Sequence, residues 1–364
     1  MNRSPLLELH RAANARLAHG DPPELLTYGD VPAEYRAATE GCALFDATER
    51  ARIVARGPDA QGFLHRLLAN DVRALAIGAE QRNLLLSSKG KVLFAFELAR
   101  AADALALELP AARGKALTAA LDLYLFSEKA TFADETERCA PIELVGPRAV
   151  ELARTVCGAD VPSELGRWSA PTWDGGELRA SARAIAGSAG IALDAGERAP
   201  ALWQALVAAG ARPAGRVVRD ILRVEAGAAE FGVDVDDTVY PQEARLEAAF
   251  SLSKGCYIGQ EVVAKIDTYG GLNKRLVALK VAHDDPVPRG TRLMRLDEGE
   301  WRDLGVVTSW AYSFVLDTGV VLAYVKRRHQ KAGTEFRVGD GPATATIVPL
   351  PIRKDALAVT GEFE

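Results

Sequence analysis

Cysteine is scarce in this chain: Cys42, Cys139, Cys157 and Cys256 are the four among 364 residues. They lie far apart, and no CxxC or CxH spacing joins them, which argues against a sequence-local zinc or cluster-binding motif. A disulfide framework is not expected at this density, so a reducing cytoplasm is the expected setting. The five histidines are equally scattered, and no metal ligand set is expected. Long apolar runs are missing too. Glu8, His10 and Arg11 break up Leu6, Leu7 and Leu9, so neither a signal peptide nor a membrane span is expected. The net charge of -5 gives no electrostatic reason for a polyanion partner, and nucleic acid is not expected.

Several catalytic signatures are also absent. No Gly-x-Gly-x-x-Gly follows a strand and no Gly-x-Ser-x-Gly elbow occurs, so Rossmann and α/β-hydrolase readings lack their marks. Ser87-Ser88-Lys89-Gly90-Lys91 lacks phosphate-loop spacing and reads as a basic β-turn. Asp234, Asp236 and Asp237, with Glu230, miss the calcium-loop pattern and read as a solvated acidic loop.

What is present calls for two or three domains, since 364 residues exceed one comfortable core. Residues 5–18 read as an amphipathic helix and 32–40 as a second. A unit of strand, Gly-Pro turn and helix occurs twice. In the first, strand 52–56 runs into Gly57-Pro58-Asp59-Ala60 and a helix with Phe63, Leu64, Leu67 and Leu68. In the second, strand 142–145 runs into Gly146-Pro147-Arg148-Ala149 and a helix with Val150, Leu152, Ala153 and Val156. Proline just inside a helix start is favoured because its missing N–H would be unpaired there. Hairpin-like strands follow each unit (83–87, 92–99 and 104–109; 177–185 and 190–193), which predicts α+β sheets rather than a doubly wound parallel sheet. Helices over 112–125 and around Trp203 would cover sheet faces. Residues 216–226 read as a helix with Val217, Ile221 and Val224 on a buried stripe and Arg216, Arg219 and Arg223 on another. Glu225 falls near its C-terminus, where an acid opposes the helix dipole unless something uses the carboxylate. From residue 276 the texture becomes short alternating strands separated by turns such as Glu298-Gly299, the pattern of an all-β barrel or sandwich.

The densest stretch chemically is Lys254-Gly255-Cys256-Tyr257-Ile258-Gly259-Gln260-Glu261. The glycines let a ligand approach the backbone, and Lys254 can lower the pKa of the Cys256 thiol by charge proximity. Equally, Cys256 can be a small buried hydrophobe in a loop entering a helix. The residues alone leave both readings open.

The combination of Arg223-Val224-Glu225-Ala226-Gly227, Phe231-Gly232-Val233-Asp234, Pro241-Gln242-Glu243-Ala244 and the 254–261 string resembles the folate-binding YgfZ type, relatives of the glycine cleavage T-protein. Near the front, Gly57-Pro58-Asp59-Ala60 and Asn70-Asp71-Val72 carry the resemblance; toward the end, Gly305-Val306-Val307-Thr308-Ser309 and Leu322-Ala323-Tyr324-Val325 do. It implies a three-domain ring like the aminomethyltransferase fold, with two mainly antiparallel α+β domains and a C-terminal all-β barrel. The implied boundaries are 1–50 with 140–250, 51–139, a motif segment and linker at 251–275, and a barrel domain at 276–364. It implies tetrahydrofolate or a one-carbon derivative as cofactor, with Glu225 on the pterin edge and Tyr257, Gln260 and Asn70 also in the binding site. Where T-proteins carry a paired aspartate, this chain has Phe94 and Ala95. An apolar side chain cannot relay protons. The implied function is therefore accessory: assembly or repair of iron-sulfur clusters, partnered by assembly proteins or client [4Fe-4S] enzymes. Cys256 would be the functional thiol and Lys254 its activator. The alternatives are a folate-dependent aminomethyl or one-carbon transferase, and a folate-binding scaffold without thiol chemistry.

Overall fold

The computed structural model describes residues 4–297 and 299–357. Glu298 of the Glu298-Gly299 turn and residues 358–364 of the expected barrel domain lie outside the described residues. The chain divides into two compact units, one of residues 1–83 with 95–219 and one of 84–94 with 220–364.

The first unit contains a six-stranded sheet whose strands, in spatial order, are Arg167–Ser169, Arg179–Ile185, Ser188–Asp194, Pro141–Val145, Ala43–Asp46 and Arg212–Pro213. Every pairing is antiparallel except the last, where Arg212 faces Ala43 in parallel. The helices Ala149–Cys157 and Ala199–Ala208 bury Leu152, Ala153, Leu202 and Leu206 against it in one core with Leu44, Ile142, Leu144 and Leu193. The first unit also holds most of a five-stranded sheet, in which Arg50–Arg56 lies between Ala104–Pro110 and Thr131–Asp134, both antiparallel.

The repeated unit of the sequence is present, with one change. The helices begin at Ala60 and Ala149, so Pro58 and Pro147 precede the helix caps Asp59 and Arg148 rather than sitting in the first turn. The glycines explain the recurrence. Gly57 and Gly146 have φ of +114° and +124°, and a Cβ there would meet the carbonyl oxygens of Lys129 and Gly41. Both chains turn against a neighbouring backbone, where only glycine fits. The N-terminal helix is shorter than its periodicity predicts, Leu7–Ala12 instead of 5–18, because Asn14 takes a φ of +54° and turns the chain into the short strand Arg16–Leu17.

In the second unit six strands close a barrel in the order Lys274–Val281, Thr318–Lys326, Glu300–Ser313, Arg292–Asp297, Glu335–Val338 and Thr344–Val348. Alternate residues fill it: Val277, Leu279 and Val281 from the first strand meet Val321, Ala323 and Val325 from the second. The α+β architecture with mainly antiparallel sheets and a C-terminal barrel is the one the sequence implies. Among the described residues no helix is long and apolar enough to cross a membrane.

Candidate functional site

The first unit contains a cavity of about 1100 Å³. Its wall is built where Ala43–Asp46 hands over to Arg50–Arg56 through Ala47, Thr48 and Glu49. Asp46 is held firmly. It accepts from Ser4 Oγ at 2.6 Å and the Thr48 amide at 2.8 Å, and its Oδ2 lies 2.9 Å from His10 Nε2. The other nitrogen of His10 meets the Tyr28 hydroxyl at 2.7 Å, so the imidazole is clamped from both sides. Burial works to raise the Asp46 pKa, but the hydrogen bonds from His10, Ser4 and Thr48 outweigh it and hold the carboxylate below its usual range.

Glu49 is the opposite case. It is exposed where it lines the cavity, while the protein crowded around it desolvates the carboxyl. That desolvation raises its pKa to about 7, with Arg219 opposing and Asp46 and Glu143 reinforcing the rise. The rest of the lining mixes the cations Lys115, Arg138, Arg216 and Arg219 with the acids Asp21, Glu24, Asp134, Glu137 and Glu197.

Behind this wall lies a network of buried ions. Arg183 reaches Glu108 at 2.7 Å, Glu143 at 3.3 Å and Glu80 at 3.5 Å. Arg52 pairs with Glu108 and with Asp194, each at 2.8 Å. Arg219 pairs with Glu143. Burial alone would raise the Glu143 pKa, but Arg219, Arg183 and Arg50 bring it down to about 2.

In the second unit, residues 254–261 form a tight turn into the helix Gln260–Tyr269. Ser251 Oγ accepts from the amides of Ser253 and Lys254 at 3.3 and 3.2 Å. Gly259 takes a φ of +81°, and a Cβ there would stand 2.5 Å from Ser87 O and 2.9 Å from Gly90 Cα. The basic 87–91 turn is a true β-turn, closed by Gly90 N donating to Ser87 O at 2.9 Å. Thus the motif glycine permits one turn to seat against another. Cys256 is exposed and free, not the buried hydrophobe that packing alone would make it. The Lys254 ammonium lies 5.3 Å from the centre of the buried Tyr257 ring. Burial raises the Tyr257 hydroxyl to about 12. Gln260 is the first residue of the helix and half-buried.

Glu225 is fully buried at 0% exposure. Ser313 Oγ donates to it at 2.7 Å, the Val315 amide at 3.3 Å, and Arg353 Nε stands 3.6 Å away. The carboxylate that opposes its helix dipole is thereby used to tie the helix Arg216–Ala226 to the barrel strand Glu300–Ser313. Every one of those contacts is internal to the fold. Nearby Asp234, expected in a solvated loop, is instead a buried hub. It accepts from Arg223 Nη1 at 2.8 Å, Thr308 Oγ1 at 2.5 Å and Ser309 Oγ at 2.6 Å. Phe94 is buried, 6.3 Å from the Phe231 ring. Asn70, in the first unit, donates its side-chain Nδ2 to Arg82 O and its backbone amide to Asn83 Oδ1, each at 2.9 Å. The structure thus gathers Lys254, Cys256, Tyr257 and Gln260 in one segment, and gives Glu225 and Asn70 structural partners elsewhere. Sequence reasoning missed Glu49, Lys115 and Arg138. The visible signal was only an acidic residue in a three-residue strand connection, and the cations come from distant segments.

The family description "GCVT N-terminal domain" matches residues 24–254, and "Glycine cleavage T-protein C-terminal barrel domain" matches 274–354. The chain is 35% identical over 370 aligned residues to "Aminomethyltransferase" of Rubrobacter xylanophilus, covering 96% of this chain and 94% of that protein. It is 30% identical to the Herpetosiphon aurantiacus protein of the same name, covering 97% and 99%. The crystal structure of glycine cleavage system aminomethyltransferase T from Bartonella henselae superposes with a TM-score of 0.87 at 25% identity, covering 98% and 99%. These relatives overturn the expected iron-sulfur accessory function: proteins matching this chain along nearly their whole length carry the name of a transferase. From its matched domains and full-length relatives, this chain belongs to the glycine cleavage T-protein family.

Proposed function

We propose that this chain is a tetrahydrofolate-dependent transferase of an aminomethyl or related one-carbon group, and that the cavity of its first unit receives the folate. The carrying observation is that cavity: about 1100 Å³, with Lys115, Arg138, Arg216 and Arg219 among the charged residues of its lining and the exposed Glu49 in its wall. Its volume lies just above the ~300–1,000 Å³ typical of small-molecule sites. The donor set fits the ligand. A pterin offers N–H groups to a carboxyl acceptor, and the glutamate tail offers carboxylates to guanidinium and ammonium groups. Bound tetrahydrofolate would supply the amine nitrogen that accepts the one-carbon unit. The arginines would orient the anionic tail, and the walls would limit water at the reacting end.

The relatives' printed name supports the transfer reading, with the acid supplied from somewhere other than Phe94 or Ala95. The finer placement on the YgfZ side of the family rests on the 254–261 string and that apolar pair. A cytoplasmic setting fits four cysteines that are all unpaired.

A thermal-shift titration with tetrahydrofolate tests binding, because a ligand selective for the native state raises apparent stability. Transfer is tested with an aminomethylated lipoyl carrier and detection of the folate product. A rise in melting temperature with product formation is expected. Saturable binding without turnover of any one-carbon donor overturns the transferase reading.

A further inference from the structure

We propose that Glu49 is the acid–base residue of this chain, relocating the proton that one-carbon transfer must move. The proposal rests on the transferase reading above and goes beyond it by naming the group that acts where Phe94 and Ala95 cannot. When an amine nitrogen gains a carbon substituent, the new N–C bond forms and the N–H proton must leave. As the bond from that carbon to its old partner breaks, the electron pair departs with the partner, which must gain a proton. Glu49 as carboxylate takes the first proton and as acid returns it to the leaving group, so atoms and charge balance without an added reagent.

The backbone fixes Glu49 at the cavity wall. It stands in a three-residue connection fixed at both ends, its carbonyl accepting from Ala111 N at 2.7 Å and the next amide, Arg50 N, donating to Ala47 O at 3.3 Å. The neighbouring acid Asp46, which ends the preceding strand, is consumed by Ser4, His10 and the Thr48 amide. Glu49 is exposed and lines the cavity. Its immediate charged neighbours are Arg219 from the helix, Asp46 from the preceding strand and Glu143 from the strand paired with that one. Lys115, Arg138 and Arg216 are further cations of the lining; Asp21, Glu24, Asp134, Glu137 and Glu197 are its other acids. A carboxyl raised to about 7 is divided between acid and base near neutrality, which suits it to both halves of the step.

Glu49→Gln is isosteric and tests this directly. In protein carrying 13C-labelled glutamate, the resonance lost in the variant identifies Glu49, and it is expected to titrate near pH 7 without ligand. Tetrahydrofolate affinity is expected to change between pH 6 and pH 8 in the wild type and to be flat in the variant. The transfer kcat is expected to fall about 100-fold, with KM within a few-fold. A Glu49 resonance titrating in the ordinary carboxylate range, or a variant matching wild type in affinity at both pH values and in kcat, overturns the assignment. A wild type that transfers nothing overturns the transferase reading instead, and the titration and affinity measurements still decide whether Glu49 faces the ligand.

Discussion

Two stretches invite comparison: residues 46–52 in the wall of the first unit's cavity, and residues 254–261 in the second unit. The second is the more conspicuous in sequence, with lysine, cysteine and tyrosine between glycines. In the structure its glycine serves a close approach, since Gly259 lets Ser87 O and Gly90 come near, and its lysine lies over a buried tyrosine ring. The first stretch is inconspicuous, yet Asp46, Glu49 and Arg52 each meet partners from remote segments. Local density of reactive residue types marks a tight turn here. The stronger electrostatic environment comes from charges assembled across sheets.

The comparison breaks most readily at the buried network. Arg183→Leu leaves Glu80, Glu108 and Glu143 with less countercharge inside the first unit. A loss of about 3–5 kcal/mol is expected from stranding buried charge, measured by urea unfolding. A loss under about 1 kcal/mol would mean that the network relaxes or admits water. In the second unit, Asp234→Ala removes the acceptor of Arg223, Thr308 and Ser309. A comparable loss is expected, which would give the motif-bearing unit its own polar keystone.

Acid sharpens the contrast within the first unit. The folded pKa of Glu143, about 2, lies below its ordinary 4.5, so its contribution is fully present above 4.5 and is lost as pH falls toward 2. For Glu49 the sign reverses. A folded pKa of about 7 against 4.5 makes ionisation costly, and stability declines as pH rises from 4.5 through 7. Calorimetry should show Glu143→Gln flattening the acid limb and Glu49→Gln removing a decline near neutrality. A Glu49→Gln protein with the wild-type pH profile above 5 would remove the distinction between the two carboxylates.

Gly259→Ala tests the turn. The positive φ and the 2.5 Å approach to Ser87 O predict a loss of about 1–3 kcal/mol, and an unchanged melting temperature would show that the two turns part easily.

How far the sequence could be read follows from the range of each signal. The helix Arg216–Ala226 was legible because its periodicity is local, although Val217 of the expected buried stripe is exposed and Val218 and Leu222 join Ile221 and Val224 in the buried face; the barrel strands were legible because alternation is local. The Gly-Pro repeat was legible, but the reason for its glycines was not, since Lys129 O and Gly41 O are brought there by the fold. Glu225 was singled out as a carboxylate set against its helix dipole. Its users, Ser313, Val315 and Arg353, lie far along the chain, so a partner within the protein and a bound pterin looked alike. Asp234 read as solvated because its acidic neighbours did; the arginine and hydroxyls that bury it are supplied by a helix and a barrel strand.

The smallest expected effect bears on the stretch that seemed most reactive. Cys256 is exposed, whereas Cys42 and Cys157 are buried, with burial raising each of those thiols to about 12. A maleimide reagent at pH 7 should therefore modify Cys256 first and leave Cys42 and Cys157 unmodified until the chain unfolds. Cys256→Ala should shift stability by no more than about 0.5 kcal/mol, as for surface changes generally. If the proton is handled at Glu49, the same variant should transfer one-carbon units at the wild-type rate. A large loss of transfer in Cys256→Ala with folding intact would return the chemistry to the 254–261 segment and reverse the ranking of the two stretches.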